Sequence, residues 1–166
     1  VGPGMAAIDA VVPGAEEVDA VAADMGAMRR NYPAESSVEI LSELEEHGDL
    51  IAGAAEEYDV PLALVQNLIM GESSGDPGAI GRETTAGWHA HGLMQLALTT
   101  AQEQAEEIAE DLNLPIDEAF EGIRCDPNGR CALTEEDLRN RPDWNIILGT
   151  RYLGEKLDEW GNDPLD

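Results

Sequence analysis

The chain has 166 residues, of which 43% are hydrophobic and 4% aromatic, and its 9 basic against 35 acidic residues give a net charge of −26. This length fits one domain with a mostly aliphatic core, and the charge excludes nucleic-acid binding through a basic surface and argues against docking on an anionic membrane. The charges are interleaved with apolar residues at helical spacing, which does not fit a disordered acidic chain. We therefore expect a protein adapted to high salt, where self-repulsion between carboxylates is screened.

Residues 1–48 are expected to form an N-terminal arm with two helices. Residues 1–14 are interrupted by Gly and Pro, which favours an irregular segment. Apolar spacing predicts a helix over 15–28, and a capping box predicts a second from Ser36 to about His47. The start has neither an initiator Met nor the pattern of a secretory signal, so we expect the chain to be cut from a longer polypeptide. No stretch is long and apolar enough to insert in a membrane.

A helical hairpin is predicted next. Asp49 is expected to cap its first helix, which runs through Tyr58, and Pro61 is expected to open its second helix, which ends near Glu72.

Glu72 stands at an unusual place in the second helix. Leu62, Val65 and Ile69 form an apolar stripe, and the next position of that stripe is Glu72. Desolvation and the negative end of the helix dipole push such a carboxyl toward its protonated form, which can act as a general acid. The alternative is that Glu72 merely ends the helix and points to solvent.

A long loop is predicted from Gly75 to Gly92, where the sequence shows no sustained period and allows at most a short strand pair. A loop of this length in a compact domain is usually functional. Within it, His89 and His91 lack an acidic partner at matching spacing and are a poor ligand set, so we interpret them as surface histidines and expect no metal and no cofactor.

Shorter helices are predicted after this loop. A capping box that begins at Thr99 predicts a helix to about Leu112, with Leu112 facing inward, and another helix is expected over 115–123. Thr134 with Asp137 begins one more.

Cys125 and Cys131 enclose a turn that contains Pro, Asn and Gly. The two sulfurs can meet in a disulfide if the compartment is oxidising, and a free pair in a reducing cell is the alternative. A zinc site needs more ligands than this loop supplies.

The last predicted element is an amphipathic helix from Asp143 to Trp160, ended by Gly161. Its expected core positions are Ile147, Tyr152, Leu153, Leu157 and Trp160.

Several motifs, in this order along the chain, resemble the signature of lytic transglycosylases and the related goose-type lysozymes. They are Glu72-Ser73, Asp76-Pro77-Gly78-Ala79, Gly92-Leu93-Met94-Gln95-Leu96 and Thr99-Thr100-Ala101. Asp143-Trp144-Asn145-Ile146, with Gly149-Thr150 and Tyr152-Leu153, is similar to the family's later helix. The resemblance covers about Leu50 to Asp163. It implies an all-α, lysozyme-like domain over 49–166 with a long groove-lining loop.

The resemblance also implies a chemistry. Glu72 would be the single acid/base that cleaves the bond between N-acetylmuramic acid and N-acetylglucosamine in peptidoglycan, or in a related envelope polymer, and forms a 1,6-anhydro product. By the same resemblance, Ser73 would orient Glu72, and Gln95 would hydrogen-bond the sugar near the cleavage point. Met94 is expected in the groove wall and Leu93 in the core.

Other site residues have two interpretations. Trp88 either stacks on a sugar at the groove rim or packs the loop onto the domain, and Tyr152 either lines the groove or packs in the core. The loop between Ala79 and Gly92 is longer than the family's usual spacing. Glu83 in this loop, or Asp76, could be a second carboxylate, which would permit hydrolysis with two acids.

Three functions therefore remain open: a lytic transglycosylase, free or within a cell-wall-penetrating machine such as a viral tail; a binding or structural module of a virion or envelope assembly; and a lysozyme-type hydrolase. All three imply an extracytoplasmic protein whose partners are a cell-wall glycan and other parts of a larger chain or assembly. Family members carry an Ala-Tyr-Asn segment after the last helix, whose Tyr contacts the catalytic Glu. The sequence stops at Asp166, where that segment would follow, so activity is expected to depend on a continuation.

Overall fold

The computed structural model describes residues 46–161 and contains six helices in that range. They are α1 (Gly48–Glu57), α2 (Leu62–Ser73), α3 (Leu98–Leu112), α4 (Ile116–Ala119), α5 (Glu135–Asn140) and α6 (Pro142–Gly161). Extended structure within the described residues is limited to isolated bridges, so the predicted all-α class is confirmed. The helices predicted before Glu46 lie outside the described residues.

Helix α6 is the central element of the fold. It packs against α1, α3 and α5, while α1 packs against α2 as the predicted hairpin requires. Tyr152, Leu153 and Trp160 are buried as predicted, whereas Ile147 and Leu157 are only partly buried. The core also takes residues of α6 that the amphipathic pattern did not single out: Trp144, Ile146 and Leu148. A helix contacted on several sides buries more than one stripe.

The buried face of α2 differs from the predicted stripe at its start. Leu64, Val65, Leu68 and Ile69 are at most 7% exposed, whereas Leu62 is 42% exposed. The predicted inward position of Leu62 is therefore wrong, because the core side of α2 is centred on Val65 and Leu68.

Asp49 and Thr99 do not cap their helices as predicted, whereas Pro61 stands at the start of α2 and Thr134 at the start of α5 as predicted. His47 stands at the N-cap of α1 and Ala97 at that of α3, and neither makes a side-chain cap hydrogen bond, so Asp49 and Thr99 lie inside the first turns. At α5 the capping box is present, because Asp137 N–H donates to Thr134 Oγ1 at 3.2 Å and Thr134 N–H donates to Asp137 Oδ2 at 2.9 Å.

Helices α3 and α4 also end differently from the prediction. Leu112 is 57% exposed rather than inward, since it lies in the last turn of α3 beyond the buried Ala101, Ala105 and Ala109. Helix α4 covers only Ile116–Ala119 of the predicted 115–123. Among the helices described, none is both long and apolar enough to cross a membrane.

The cysteine turn forms as predicted. Cys125 and Cys131 are joined by a disulfide. Inside the turn, the Asp126 Oδ1 atom accepts hydrogen bonds from the backbone N–H groups of Asn128 and Arg130, both at 2.9 Å. Aspartate commonly closes turns in this way.

Candidate active site

Glu72 lies in the last turn of α2 and is half-buried. Its neighbours one turn back, Leu68 and Ile69, are at most 1% exposed. Glu72 therefore lies where the helix leaves the core. Just beyond it, Ser74 has a φ of 54° and Gly75 a φ of 79°, so the chain turns sharply away from the helix axis.

Ser73 closes this helix end. Its hydroxyl donates to the Ile69 carbonyl at 3.0 Å and accepts from the Gly75 N–H at 3.2 Å, and the side chain is 8% exposed. Both partners are main-chain groups on either side of Glu72. Ser73 therefore holds the backbone that carries Glu72, which is compatible with the orienting role that the resemblance implies for it.

The chain after α2 folds back onto the segment that ends in Gln95. Gly92 N–H donates to the Ala79 carbonyl at 2.8 Å, and Gly81 N–H donates to the Ala90 carbonyl at 2.9 Å. Ile80 and His91 form an isolated antiparallel bridge, so the loop contains the short pairing that its sequence allows. These bonds link the end of the Glu72 helix to the Gly92–Gln95 segment, which we call the Gly92 turn.

Gln95 is held tightly within the loop. It has a φ of 51° and is 4% exposed. Its side-chain Nε2 donates to the Ala79 carbonyl at 3.1 Å and to the Gly92 carbonyl at 3.0 Å. A Cβ added at Gly81 would lie 2.6 Å from Gln95 Oε1, so a side chain there would press on this amide. The amide thus joins the two sides of the loop.

Met94 lies in the core and not in a groove wall. Its side chain is 0% exposed, and its sulfur accepts a hydrogen bond from Thr150 Oγ1 at 3.7 Å. The prediction that Met94 forms the groove wall is therefore wrong, because the side chain packs inward against Gly149 and Thr150 of α6. Leu93, at 1% exposed, faces the core as predicted.

Asn145 joins the Gly92 turn to α6. Its Oδ1 accepts from the Met94 N–H at 2.8 Å, and its Nδ2 donates to the carbonyls of His91 at 2.9 Å and Leu138 at 3.0 Å. Asn145 is 0% exposed. In the sequence Asn145 belongs to the Asp143-Trp144-Asn145-Ile146 motif at the start of an apolar helix, but that pattern does not indicate that its side chain is buried.

His91 is buried, at 2% exposed, so its interpretation as a surface histidine is wrong. Its Nδ1 lies 3.4 Å from Arg139 and its Nε2 3.4 Å from the Glu135 carboxylate, although Nε2 makes no hydrogen bond to any described residue. Burial lowers the pKa of His91 below 6.5, Glu135 opposes this, and the positive charge of Arg139 adds to the lowering. An arginine can only donate, so Nδ1 is the acceptor in the neutral ring.

The remaining predicted site residues lie in different surroundings. Trp88 is half-buried at the end of a turn in which Thr84 N–H donates to the Trp88 carbonyl at 2.9 Å. Glu83 and Asp76 are exposed, and Asp76 Oδ1 accepts from the Gly78 N–H at 2.9 Å. Tyr152 is 7% exposed and belongs to the core cluster, which agrees with the packing interpretation.

No group of three or more His, Cys, Asp or Glu side chains within residues 46–161 could hold a metal ion. An apolar cavity of about 510 Å³ lies between α1, α3, α4 and α6, and its lining includes Ala54, Ile108 and Trp144. None of the predicted site residues lines this cavity.

These features define a lysozyme-like helical domain with one acidic residue at the end of a core helix and a tightly bonded turn linked to it. The family model described as Transglycosylase SLT domain matches residues 49–166. The chain therefore belongs to the transglycosylase SLT family and is a lytic transglycosylase-like, glycan-cleaving domain. A search of curated proteins found no match.

Proposed function

We propose that this domain cleaves peptidoglycan, or a related envelope polymer, without consuming water, and that Glu72 is its single acid/base. The observation that carries the proposal is the place of Glu72 at the half-buried end of α2, beside the fully buried Leu68 and Ile69. A carboxyl at the edge of an apolar core can carry a proton near neutral pH and deliver it to a substrate.

The proposed reaction needs one carboxyl in two roles. Glu72 first gives its proton to the glycosidic oxygen, and the bond from that oxygen to C1 of the N-acetylmuramic acid breaks with an oxocarbenium-like charge at C1. The Glu72 carboxylate then removes the proton from the C6 hydroxyl of the same sugar, whose oxygen bonds to C1. The products are a 1,6-anhydro sugar and a free hydroxyl on the leaving sugar, and Glu72 regains its proton.

The hydrolytic alternative would add a second carboxylate, Asp76 or Glu83. Both side chains are exposed, and one oxygen of Asp76 is engaged in a local turn. This favours the single-acid mechanism, because an acid that works as a partner is usually held in the site and not in solvent.

In this proposal the other site residues position either Glu72 or the glycan. Ser73 fixes the helix end that bears Glu72, Gln95 lies near the cleavage point, and the half-buried Trp88 stacks on a sugar at the rim of the groove. The disulfide between Cys125 and Cys131 suits an oxidising compartment. We therefore propose an extracytoplasmic protein in a high-salt setting that acts within a cell-wall-penetrating assembly such as a viral tail.

The proposal is tested by digesting purified peptidoglycan with the chain, extended by whatever residues its reading frame adds after Asp166, and identifying the products by mass spectrometry. Anhydro ends support the proposal, reducing ends indicate the hydrolase, and no cleavage indicates the binding or structural module. Glu72→Gln should lower the rate by about 10²-fold or more, because the amide has no proton to transfer.

The matched control is Glu103→Gln, which makes the same change at an exposed position of α3. It should keep the rate of the unchanged protein. Equal circular-dichroism spectra of both variants ensure that activity, and not folding, is compared. A Glu72→Gln variant with unchanged turnover would rule out Glu72 as the acid.

A further inference from the structure

Asn145 makes a set of bonds that only an amide can make. It accepts one hydrogen bond, from the Met94 N–H, and donates two, to the carbonyls of His91 and Leu138. At 0% exposed it has no access to water that could replace a missing partner. A carboxylate offers acceptors alone, and a hydroxyl is too short to reach all the partners.

These bonds grip the Gly92 turn at both ends. His91 precedes Gly92, and Met94 precedes Gln95. Gly92 itself has a φ of 81°, and a Cβ there would collide with Asn145 Nδ2 and the Leu138 carbonyl. The turn therefore fits against α6 in one position only, with the Asn145 amide filling the space that a side chain at Gly92 would need.

The same turn is bonded to the segment that leaves the Glu72 helix. Gln95 follows Met94 directly, and its Nε2 bonds to the carbonyls of Gly92 and Ala79. Ala79 lies on the segment that leaves the Glu72 helix. A displacement of Met94 or His91 from Asn145 would thus move Gln95 and the segment that follows Glu72 together.

We propose that Asn145 is a positioning residue for glycan cleavage, which acts through the Gly92 turn and Gln95 to hold the segment that follows the Glu72 helix in place during the reaction. This inference rests on the proposed function. Asn145 does not contact substrate, since it is completely buried. Asn145 should therefore affect kcat, the rate at which the bound substrate reacts. A misplacement of about 1 Å at a reacting site lowers the rate on the order of 10²-fold.

The test is Asn145→Asp, which preserves side-chain size and removes both donated bonds. With a soluble peptidoglycan tetrasaccharide near pH 7, kcat should fall on the order of 10²-fold while KM changes far less. The ratio of the variant's kcat to that of the unchanged protein should rise as the pH is lowered, since a protonated Asp regains one donor. The matched control Asn140→Asp makes the same charge change at an exposed position of α5 and should stay within about 2-fold.

Amide hydrogen exchange separates this inference from the proposed function. In Asn145→Asp, exchange at Gln95 and Leu96, whose N–H groups donate to the Gly92 and His91 carbonyls within the turn, should accelerate while α1 and α2 stay protected, and this readout does not depend on catalysis. A folded Asn145→Asp variant with unchanged kcat, or with unchanged exchange in the turn, overturns the inference. If the variant does not fold, Asn145→Ser is measured in the same way. If neither folds, Asn145 serves stability, and a positioning role is rejected. If the protein without substitutions does not cleave peptidoglycan, the proposed function is refuted, and the exchange measurement still tests whether Asn145 holds the turn.

Discussion

The side chain of Met94 lies directly on the backbone of Gly149. A Cβ added at Gly149 would lie 2.6 Å from the Met94 sulfur and 2.9 Å from the Met94 Cβ. Gly149 is in the interior of α6, where glycine weakens a helix by about 1 kcal/mol relative to alanine. This loss of helix stability is offset because the missing side chain lets Met94 of the Gly92 turn pack closely against the helix.

Gly149→Ala should therefore destabilise the protein although alanine is the better helix former. Forcing extra volume into a filled core costs about 1 to 3 kcal/mol, which exceeds the gain in helix propensity. Urea unfolding measures the change in the free energy of unfolding.

The control for this substitution is Gly53→Ala in α1. At Gly53 no described atom would lie within 4 Å of the new Cβ, so this change should stabilise by up to about 1 kcal/mol. Equal effects of the two substitutions would show that the contact with Met94 leaves room for a Cβ at Gly149.

His91 should make the stability depend on pH near neutrality. Burial lowers its pKa in the folded protein below 6.5, so the unfolded chain binds the proton more readily. The free energy of unfolding should then be unaffected by His91 above about pH 7.5 and should fall as the pH drops through 6.5 toward the lowered pKa.

His91→Gln should remove this loss of stability with falling pH, and Arg139→Gln should reduce it, because the charge of Arg139 adds to the lowering of the pKa. Both are measured by urea unfolding between about pH 5.5 and 8. If the free energy of unfolding of His91→Gln changes with pH as steeply as that of the unchanged protein, the pH dependence comes from another group.

Arg151 ties α3 to α6 in the middle of an acidic surface. Its guanidinium donates to Gln104 at 2.6 Å, to Glu107 and Glu155 at 2.8 Å, and to Asp111 at 3.2 Å. Only 16% of its side chain is exposed. An arginine enclosed by acceptors should stabilise the fold more than an arginine in a single surface pair.

Arg151→Gln should lower the free energy of unfolding by about 1 to 3 kcal/mol, because three carboxylates lose their shared cation. The control is Arg124→Gln, which breaks the exposed pair with Glu136 at 3.1 Å and should change stability by about 0.5 kcal/mol or less. A loss no larger at Arg151 than at Arg124 would contradict this ranking.

The net charge of −26 should make the thermal stability rise with salt. Salt shortens the range of repulsion between carboxylates to about 3 Å at molar concentration, so the melting temperature should rise from dilute buffer to molar KCl. The same series at about pH 4, where many carboxyls are protonated, should show a smaller rise. An unchanged melting temperature at neutral pH would argue against adaptation to high salt.

Sequence alone determined the features that depend on local spacing. The apolar period placed α2 with Glu72 at its end and the long helix α6, and the pairing of Thr134 with Asp137 predicted the capping box of α5. A Pro-Asn-Gly turn between two cysteines predicted that their sulfurs can meet, and the structure joins them in a disulfide. Each of these follows from residues a few positions apart, where propensity and turn chemistry decide.

Only the tertiary structure decided which polar groups are buried and what they bind. Asn145 and Met94 are 51 positions apart, and the burial of His91 depends on α5 lying across it. Met94 points inward because Gly149 leaves room for it. The same residue types would lie in solvent if no distant segment covered them. Local sequence patterns therefore do not distinguish a buried polar side chain from an exposed one.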